Sequence, residues 1–301
     1  LIRMGSKKAL LIVNPISGKG YGLRLALQLG KKLKGEGWEI YMHKTTRAGD
    51  ALETVEKYGD QFTTLVCFGG DGTMNEVING SRHHKVPIAL VPVGTGNVLK
   101  KELHLDMDIN RAARIILSGK TQLMDIAYLN GKRMFMLFAG IGFDAQIVHS
   151  FHALRRGPTM QLNYFFPILR TLTSFKFQPL SVTIDHTLVE KEATYVMVSN
   201  VRSYGGPIEI ASKASPNDGL LDICIFLGKR KTDLFNYAMG ALTRTLHHGM
   251  DWVNRDIKYF QGRQIIINSP EPVPVQVDGD PAGFTPAVME VQSKAITLLV
   301  P

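Results

Sequence analysis

The sequence predicts two domains: an amino-terminal α/β domain on a parallel sheet and a second, mainly antiparallel β domain. Three observations carry this expectation. Over roughly the first 120 residues, apolar runs of strand length alternate with helical stripes, the pattern of a parallel sheet covered on both faces. Three of those strands end in glycine-rich turns. From about residue 122 the texture changes to short runs bounded by Gly, Pro, Asn or Asp, which suits antiparallel pairing.

Taken in order, ALLIVNP (9–15) reads as a strand. After SGKGYG, residues Leu23, Ala26, Leu27, Gly30 and Leu33 follow helical spacing, and Gly35 and Gly37 punctuate the end. WEIYMH (38–43) is a second strand, and Ala48, Ala51, Leu52, Val55 and Tyr58 form the next helical stripe. TTLVCF (63–68) and PIALVP (87–92) are two further strands, each followed by a glycine-bearing turn and a helix. Ligands of such sheets bind at the carboxyl ends of the strands, where NPISG, GGDGT and VGTGN fall. In MDIAYLNGKRMFMLFAG, Asn130-Gly131 between two apolar runs predicts a hairpin. A long helical segment is expected over 143–176, then strands at LSVTID, ATYVMVSN, LLDICIFL, RQIIINS, VPVQV and AVMEVQ. A final run, AITLLV, could pair with either domain. The boundary falls near 122–130, giving a nucleotide-binding domain over 1–125, to which 295–301 can return, and a β-rich domain over 126–294.

Of the 301 residues, 45% are hydrophobic and 20% charged, an ordinary globular composition. Cys67 and Cys224 each sit inside an apolar run and read as small buried hydrophobes in a reducing, cytosolic setting. LIRMGS resembles a cloning remnant, no signal peptide is visible, and MFMLFAGIGF (134–143) is too short to cross a bilayer. A net charge of +9 suits phosphate-bearing partners, whether nucleotides, nucleic acid or anionic lipid headgroups.

In LVCFGGDGTMNEVING (65–80), glycines at a strand end let backbone N–H groups face outward, and the following helix adds the positive end of its dipole. Thr73 and Glu76 have capping-box spacing, so the helix is expected to start at Thr73. Asp71 would repel a phosphate unless a metal ion or a proton intervenes, which points to metal–nucleotide chemistry; the plainer alternative is a tight turn with Asp71 bonded to local amides. NPISGKG (14–20) and PVGTGN (92–97) repeat the strand–turn–helix device, and Lys19, turned inward, could neutralise a phosphate. Neither GxxxxGK[ST] nor GxGxxG is met, and HExxH, GxSxG and paired CxxC are absent from the sequence.

NPxSGxG, GGDGTxNEVxNG and PxGTGN, in this order, resemble the diacylglycerol kinase catalytic-domain family, which includes soluble bacterial lipid kinases and the sphingosine and ceramide kinases. GIGFDAQIV (140–148), ASPNDGLLDI (214–223) and VDGD (277–280) extend the resemblance over essentially the whole chain. It implies an NAD-kinase/diacylglycerol-kinase-like fold that binds ATP and Mg2+ between the domains. Asn14, Ser17, Gly18 and Thr45 would line the nucleotide cleft; Gly69, Gly70, Asp71, Gly72 and Thr73 would hold the triphosphate, joined by Asn75, Glu76, Thr95 and Asn97. Ser215, Asp218 and the backbone of Leu220 match the family's magnesium loop. Asp280 matches the proton acceptor, and with Asp71 completes the implied catalytic pair. Two positions depart from the pattern: Val98 follows Asn97 where many members carry Asp, and Asp280 stands where bacterial members carry Glu.

VDGDP, read by itself, places Asp278 and Asp280 in opposite senses, so one could face a ligand while the other caps the turn. RRGPTMQLNYFFPILRTLTSF (155–175) carries an apolar stripe of Leu162, Phe165, Phe166, Leu169 and Leu172 near Arg155, Arg156 and Arg170, interrupted by Pro167. Such a helix either lies in a headgroup layer or packs on its own domain. The pairs His83-His84 and His247-His248 are weak metal candidates, since adjacent helical residues point apart. The expected activity is therefore ATP- and Mg2+-dependent phosphorylation of a diacylglycerol-like lipid hydroxyl. The alternatives are an NAD kinase-type enzyme and a non-catalytic nucleotide- or lipid-binding relative. Expected partners are ATP, the lipid acceptor, an anionic membrane surface and a second copy in a homodimer, with no nucleic acid; the expected location is the cytoplasm with peripheral membrane association.

Overall fold

A computed structural model describes residues 7–94, 97–154, 175–204, 208–242 and 256–301. It divides into two compact units, Leu1–Met124 with Lys294–Pro301, and Asp125–Ser293.

The first unit runs β1 (Lys8–Val13), α1 (Tyr21–Gly35), β2 (Glu39–Lys44), α2 (Asp50–Tyr58), β3 (Thr64–Gly69), α3 (Asp71–Gly80), β4 (Ile88–Pro92), α4 (Val98–Glu102) and α5 (Ile109–Ser118). The strands pair in parallel in the order β2-β1-β3-β4, with Leu10 of β1 opposite Tyr41 and Leu65. β3 and β4 are buried along their whole length, which is why they read as unbroken apolar runs. α1 buries Ala26, Leu29, Gly30 and Leu33 against this sheet, whereas Leu27, expected on the inner stripe, is 59% exposed. The spacing i, i+3, i+4, i+7 counted from Ala26 selects Leu29 and excludes Leu27. Cys67 is buried as expected, and burial pushes its thiol pKa well up.

The chain leaves the first unit through β5 (Thr121–Leu129) and continues with β6 (Arg133–Phe135), β7 (Phe138–Ile141), α6 (Phe143–Leu154), β8 (Leu180–Ile184), β9 (Thr187–Ala193), β10 (Tyr195–Ser199), β11 (Ser203–Tyr204), β12 (Ile208–Glu209), β13 (Leu221–Phe226), α7 (Lys231–Leu242), β14 (Ile257–Gly262), β15 (Gln264–Asn268), β16 (Pro274–Val277), β17 (Asp280–Phe284) and β18 (Ala287–Leu299). One antiparallel sheet has the order β14-β13-β10-β7-β16-β17. The other pairs the first part of β18 with β15, then β8 and β9. Alternate residues of both sheets, among them Val182, Val198, Ile223, Ile265 and Val275, make one apolar core. Asn130 and Gly131 turn the β5–β6 hairpin with φ of 51° and 65°, as the Asn-Gly pair predicts.

A further expectation changes. AVMEVQ and AITLLV are a single 13-residue strand, β18. One left-handed residue, Lys294 with φ 53°, falls within it without ending it, and Leu298 pairs in parallel with Ile88 of β4. Of the helix expected over 143–176, the part Phe143–Leu154 is described as α6; residues 155–174, with the Leu162, Phe165, Phe166, Leu169 and Leu172 stripe, lie outside the described residues, as do His247 and His248.

Candidate functional site

The three glycine turns of the first unit stand at neighbouring strand ends and touch one another. Val93 N–H donates to the Gly69 carbonyl at 3.0 Å, and Asn14 N–H to the Phe68 carbonyl at 3.0 Å, so the ladder runs on into all three turns. A Cβ on Gly94 would lie 2.5 Å from Gly70 Cα, and one on Gly18 would lie 2.4 Å from the Val93 carbonyl oxygen. Gly18 also has φ +59°. Only residues without a Cβ allow backbones this close. The glycines are thus required by the turns' own contact, whatever else they hold.

The helix after GGDGT begins at Asp71 with Gly70 as its N-cap, and no side chain among the described residues caps it. The capping box expected of Thr73 and Glu76 is not formed, because both lie inside the helix. Thr73 Oγ1 instead accepts from Asn14 Nδ2 at 3.1 Å, tying the first turn to the second. The Glu76 carboxylate crosses to α2 and accepts from Gly49 N–H at 2.9 Å and Ala51 N–H at 3.1 Å. Asp71 turns toward α4, where it accepts from Val98 N–H at 2.9 Å and Leu99 N–H at 3.4 Å. Burial raises the Asp71 pKa, and these two bonds oppose the rise. Both acids of α3 therefore cap other helices, and neither caps its own first turn, where the helix dipole is positive.

Asn14 also accepts from Ile16 N–H at 3.2 Å through Oδ1, and Ser17 and Gly18 form a 3₁₀ turn beside it. Thr45 follows β2 and donates its N–H to the Val13 carbonyl at 2.9 Å, which places it at the same strand edge. Gly72 is exposed, and a Cβ there would meet nothing within 4 Å. Asn75 accepts from Asn79 Nδ2 at 2.9 Å within α3. Asn97 takes φ 44°, and its Nδ2 bonds the Pro92 and Gly94 carbonyls. Its Oδ1 is buried without a partner among the described residues. Thr95 lies outside the described residues, and Lys19 has no described side chain.

In the second unit, Asp278 and Asp280 take opposite senses. Asp278, at φ 49°, accepts from the N–H groups of Met136, Leu137 and Phe138 at 2.9, 2.9 and 3.0 Å. Asp280 has a 57% exposed side chain and pairs with Arg133 at 3.5 Å. The segment expected to form the magnesium loop is organised by Asp125, which is fully buried and accepts from Gly219 N–H at 2.6 Å. Ser215 Oγ donates to Asn217 Oδ1 at 2.8 Å, and Asp218 Oδ1 accepts from Leu220 N–H at 3.0 Å. No group of three or more His, Cys, Asp or Glu suited to a metal occurs among the described residues. A hydroxyl, one carboxylate and a carbonyl are nonetheless the hard oxygen donors that Mg2+ takes, with water completing its shell. Asp222, two residues on, has a buried Oδ2 with no hydrogen-bond partner. Burial and then the Asp218 charge raise its pKa, a strain that a cation would relieve. The oxygen donors, with the one unpartnered carboxylate oxygen of Asp222 beside them in sequence, fit the ion. Asp125 and Arg133 carry no motif signal, so sequence reasoning could not have found them.

Residues 8–129 match the family described as Diacylglycerol kinase catalytic domain, and residues 138–300 match the YegS C-terminal NAD kinase beta sandwich-like domain. The chain is similar to a protein of Bacillus subtilis (strain 168) named diacylglycerol kinase, with 28% identity over 284 residues, 93% of this chain and 92% of that one. It is 27% identical to the protein of that name in Staphylococcus carnosus (strain TM300), over 93% and 91% of the two chains. Among solved structures, a putative diacylglycerol kinase from Bacillus anthracis str. Sterne gives a TM-score of 0.78 at 26% identity, with 99% of each chain covered.

Proposed function

The chain belongs to the diacylglycerol kinase family, and from that premise we propose that it transfers the γ-phosphoryl group of ATP to the hydroxyl of a diacylglycerol-like lipid. The observation that carries the reading is the uncapped start of α3 inside three mutually touching glycine turns. A triphosphate there would receive fixed N–H groups and the helix dipole with no described capping side chain to displace. Gly69 to Thr73 hold the phosphates; Asn14, Ser17, Gly18, Thr45 and Asn97 surround the nucleotide. Asp71 and Glu76 keep this frame in shape through the helices they cap. Ser215, Asp218 and the main chain of Leu220 would hold Mg2+, which when bound neutralises charge on the phosphates.

In the transfer, the acceptor oxygen bonds to the γ-phosphorus, the β,γ-bridging P–O bond breaks, ADP leaves, and the hydroxyl proton passes to the Asp280 carboxylate. A net charge of +9 supports peripheral contact with an anionic membrane surface, where such acceptors reside. None of the described helices is long and apolar enough to cross a membrane.

The test is transfer of label from [γ-32P]ATP in mixed micelles of diacylglycerol, phosphatidylglycerol, sphingoid base or polyprenol, with NAD as a soluble competitor acceptor. Labelled phosphatidate is the expected product. Transfer to none of the lipids overturns the reading, and transfer to NAD alone replaces it with the soluble-acceptor alternative. Asp280→Asn should lower turnover by roughly 10²–10⁴-fold with ATP binding nearly intact; equal loss of both would remove Asp280 as the base.

A further inference from the structure

The hairpin bearing Asp280 is held by a chain of buried polar groups that the transfer itself does not use. Gln276 on β16 has no exposed surface, and Asp144 in the first turn of α6 is 7% exposed. Gln276 Nε2 donates to Asp144 Oδ2 at 2.8 Å, and Gln276 Oε1 accepts from Gly279 N–H at 2.9 Å. The Tyr204 hydroxyl donates to the same Asp144 oxygen at 3.4 Å, and Ala145 N–H donates to Asp144 Oδ1 at 2.6 Å. Gly140 makes room for the carboxyl group, since a Cβ there would lie 2.0 Å from Asp144 Oδ2.

Burying a carboxylate and an amide is costly, and apolar side chains could fill the same space. What the polar pair achieves is orientation. An ionised carboxylate only accepts, so the Gln276 NH₂ must face Asp144 and its carbonyl must face Gly279. Without that acceptor the amide can flip and set NH₂ against the Gly279 N–H. Gly279, at φ +86°, is the peptide immediately before Asp280. Asp278 fastens the same turn to residues 136–138. We infer that Asp144, acting through Gln276, positions the Asp280 turn for phosphoryl transfer. Asp144 is a positioning residue, and its role rests on Asp280 being the proton acceptor.

The experiment compares Gln276→Leu, Asp144→Asn, Asp280→Asn and the double variant Gln276→Leu/Asp280→Asn, reading kcat, KM for ATP, and hydrogen exchange at the Gly279 amide. Gln276→Leu should lower kcat ~10- to 100-fold, the scale expected of a displaced catalytic group, with KM for ATP unchanged and faster exchange at Gly279. Asp144→Asn, which keeps one acceptor oxygen, should show a smaller fall of the same kind, and it carries the comparison if Gln276→Leu does not fold. In the Asp280→Asn background, Gln276→Leu should cause no further loss. Wild-type kcat in folded Gln276→Leu or Asp144→Asn, or an equal fractional loss with and without Asp280, overturns the positioning role while leaving the base in place. Wild-type turnover in Asp280→Asn overturns the base and the positioning role together.

Discussion

Asp71 stands one residue past two glycines, and its carboxylate serves two amides of α4. Its removal should therefore act first on the frame. Asp71→Ala leaves the Val98 and Leu99 N–H groups unpaired and should cost ~1–3 kcal/mol in urea unfolding, with weaker ATP binding by calorimetry. Asp144 makes a different prediction. Burial raises its pKa from 3.8 to about 6, against the bonds from Gln276, Ala145 and Tyr204. The folded state thus binds the proton more tightly than the unfolded chain. Stability attached to this group is present below 3.8 and falls as pH rises to about 6, by about 3 kcal/mol in total. Unfolding curves of Asp144→Asn and the parent protein at pH 4 and pH 7 should differ by that pH-dependent component; parallel curves would refute it.

At the scale of elements, helices capped across space hold the anion seat. Glu76→Ala deprives α2 of its cap and should lower stability by ~1 kcal/mol, with faster exchange at the Gly49 and Ala51 amides. Gly94→Ala drives a Cβ to 2.5 Å from Gly70 Cα and should part the turns, costing ~1–3 kcal/mol and most of the ATP affinity. The glycines were legible in the sequence because close approach and positive φ admit few other residues. The caps were not: Asp71 and Glu76 bond amides 25 to 28 positions away, a separation that local spacing cannot encode. Spacing suggested a capping box, and tertiary contact overrode it. The parallel pairing of β1 to β4 followed from apolar runs alternating with helices, whereas β9, an edge strand carrying Glu190, Lys191 and Glu192, has too little alternation to announce itself.

For the molecule as a whole, the informative element is β18. Its first residues pair with β15 and its end pairs with β4, so one strand belongs to two cores. Ile296, Leu298 and Leu299 are 5%, 1% and 4% exposed. Leu298→Ala should cost ~2–5 kcal/mol, and limited proteolysis should then cut the first unit sooner. There is also a consequence for biosynthesis. Residues 294–301 leave the ribosome only after the entire second unit has been made, so the nascent first unit waits with an open sheet edge beside β4. Its completion is deferred until the second unit has been synthesised, and ribosome-stalled chains ending before residue 294 should engage chaperones that chains extending past β18 do not need.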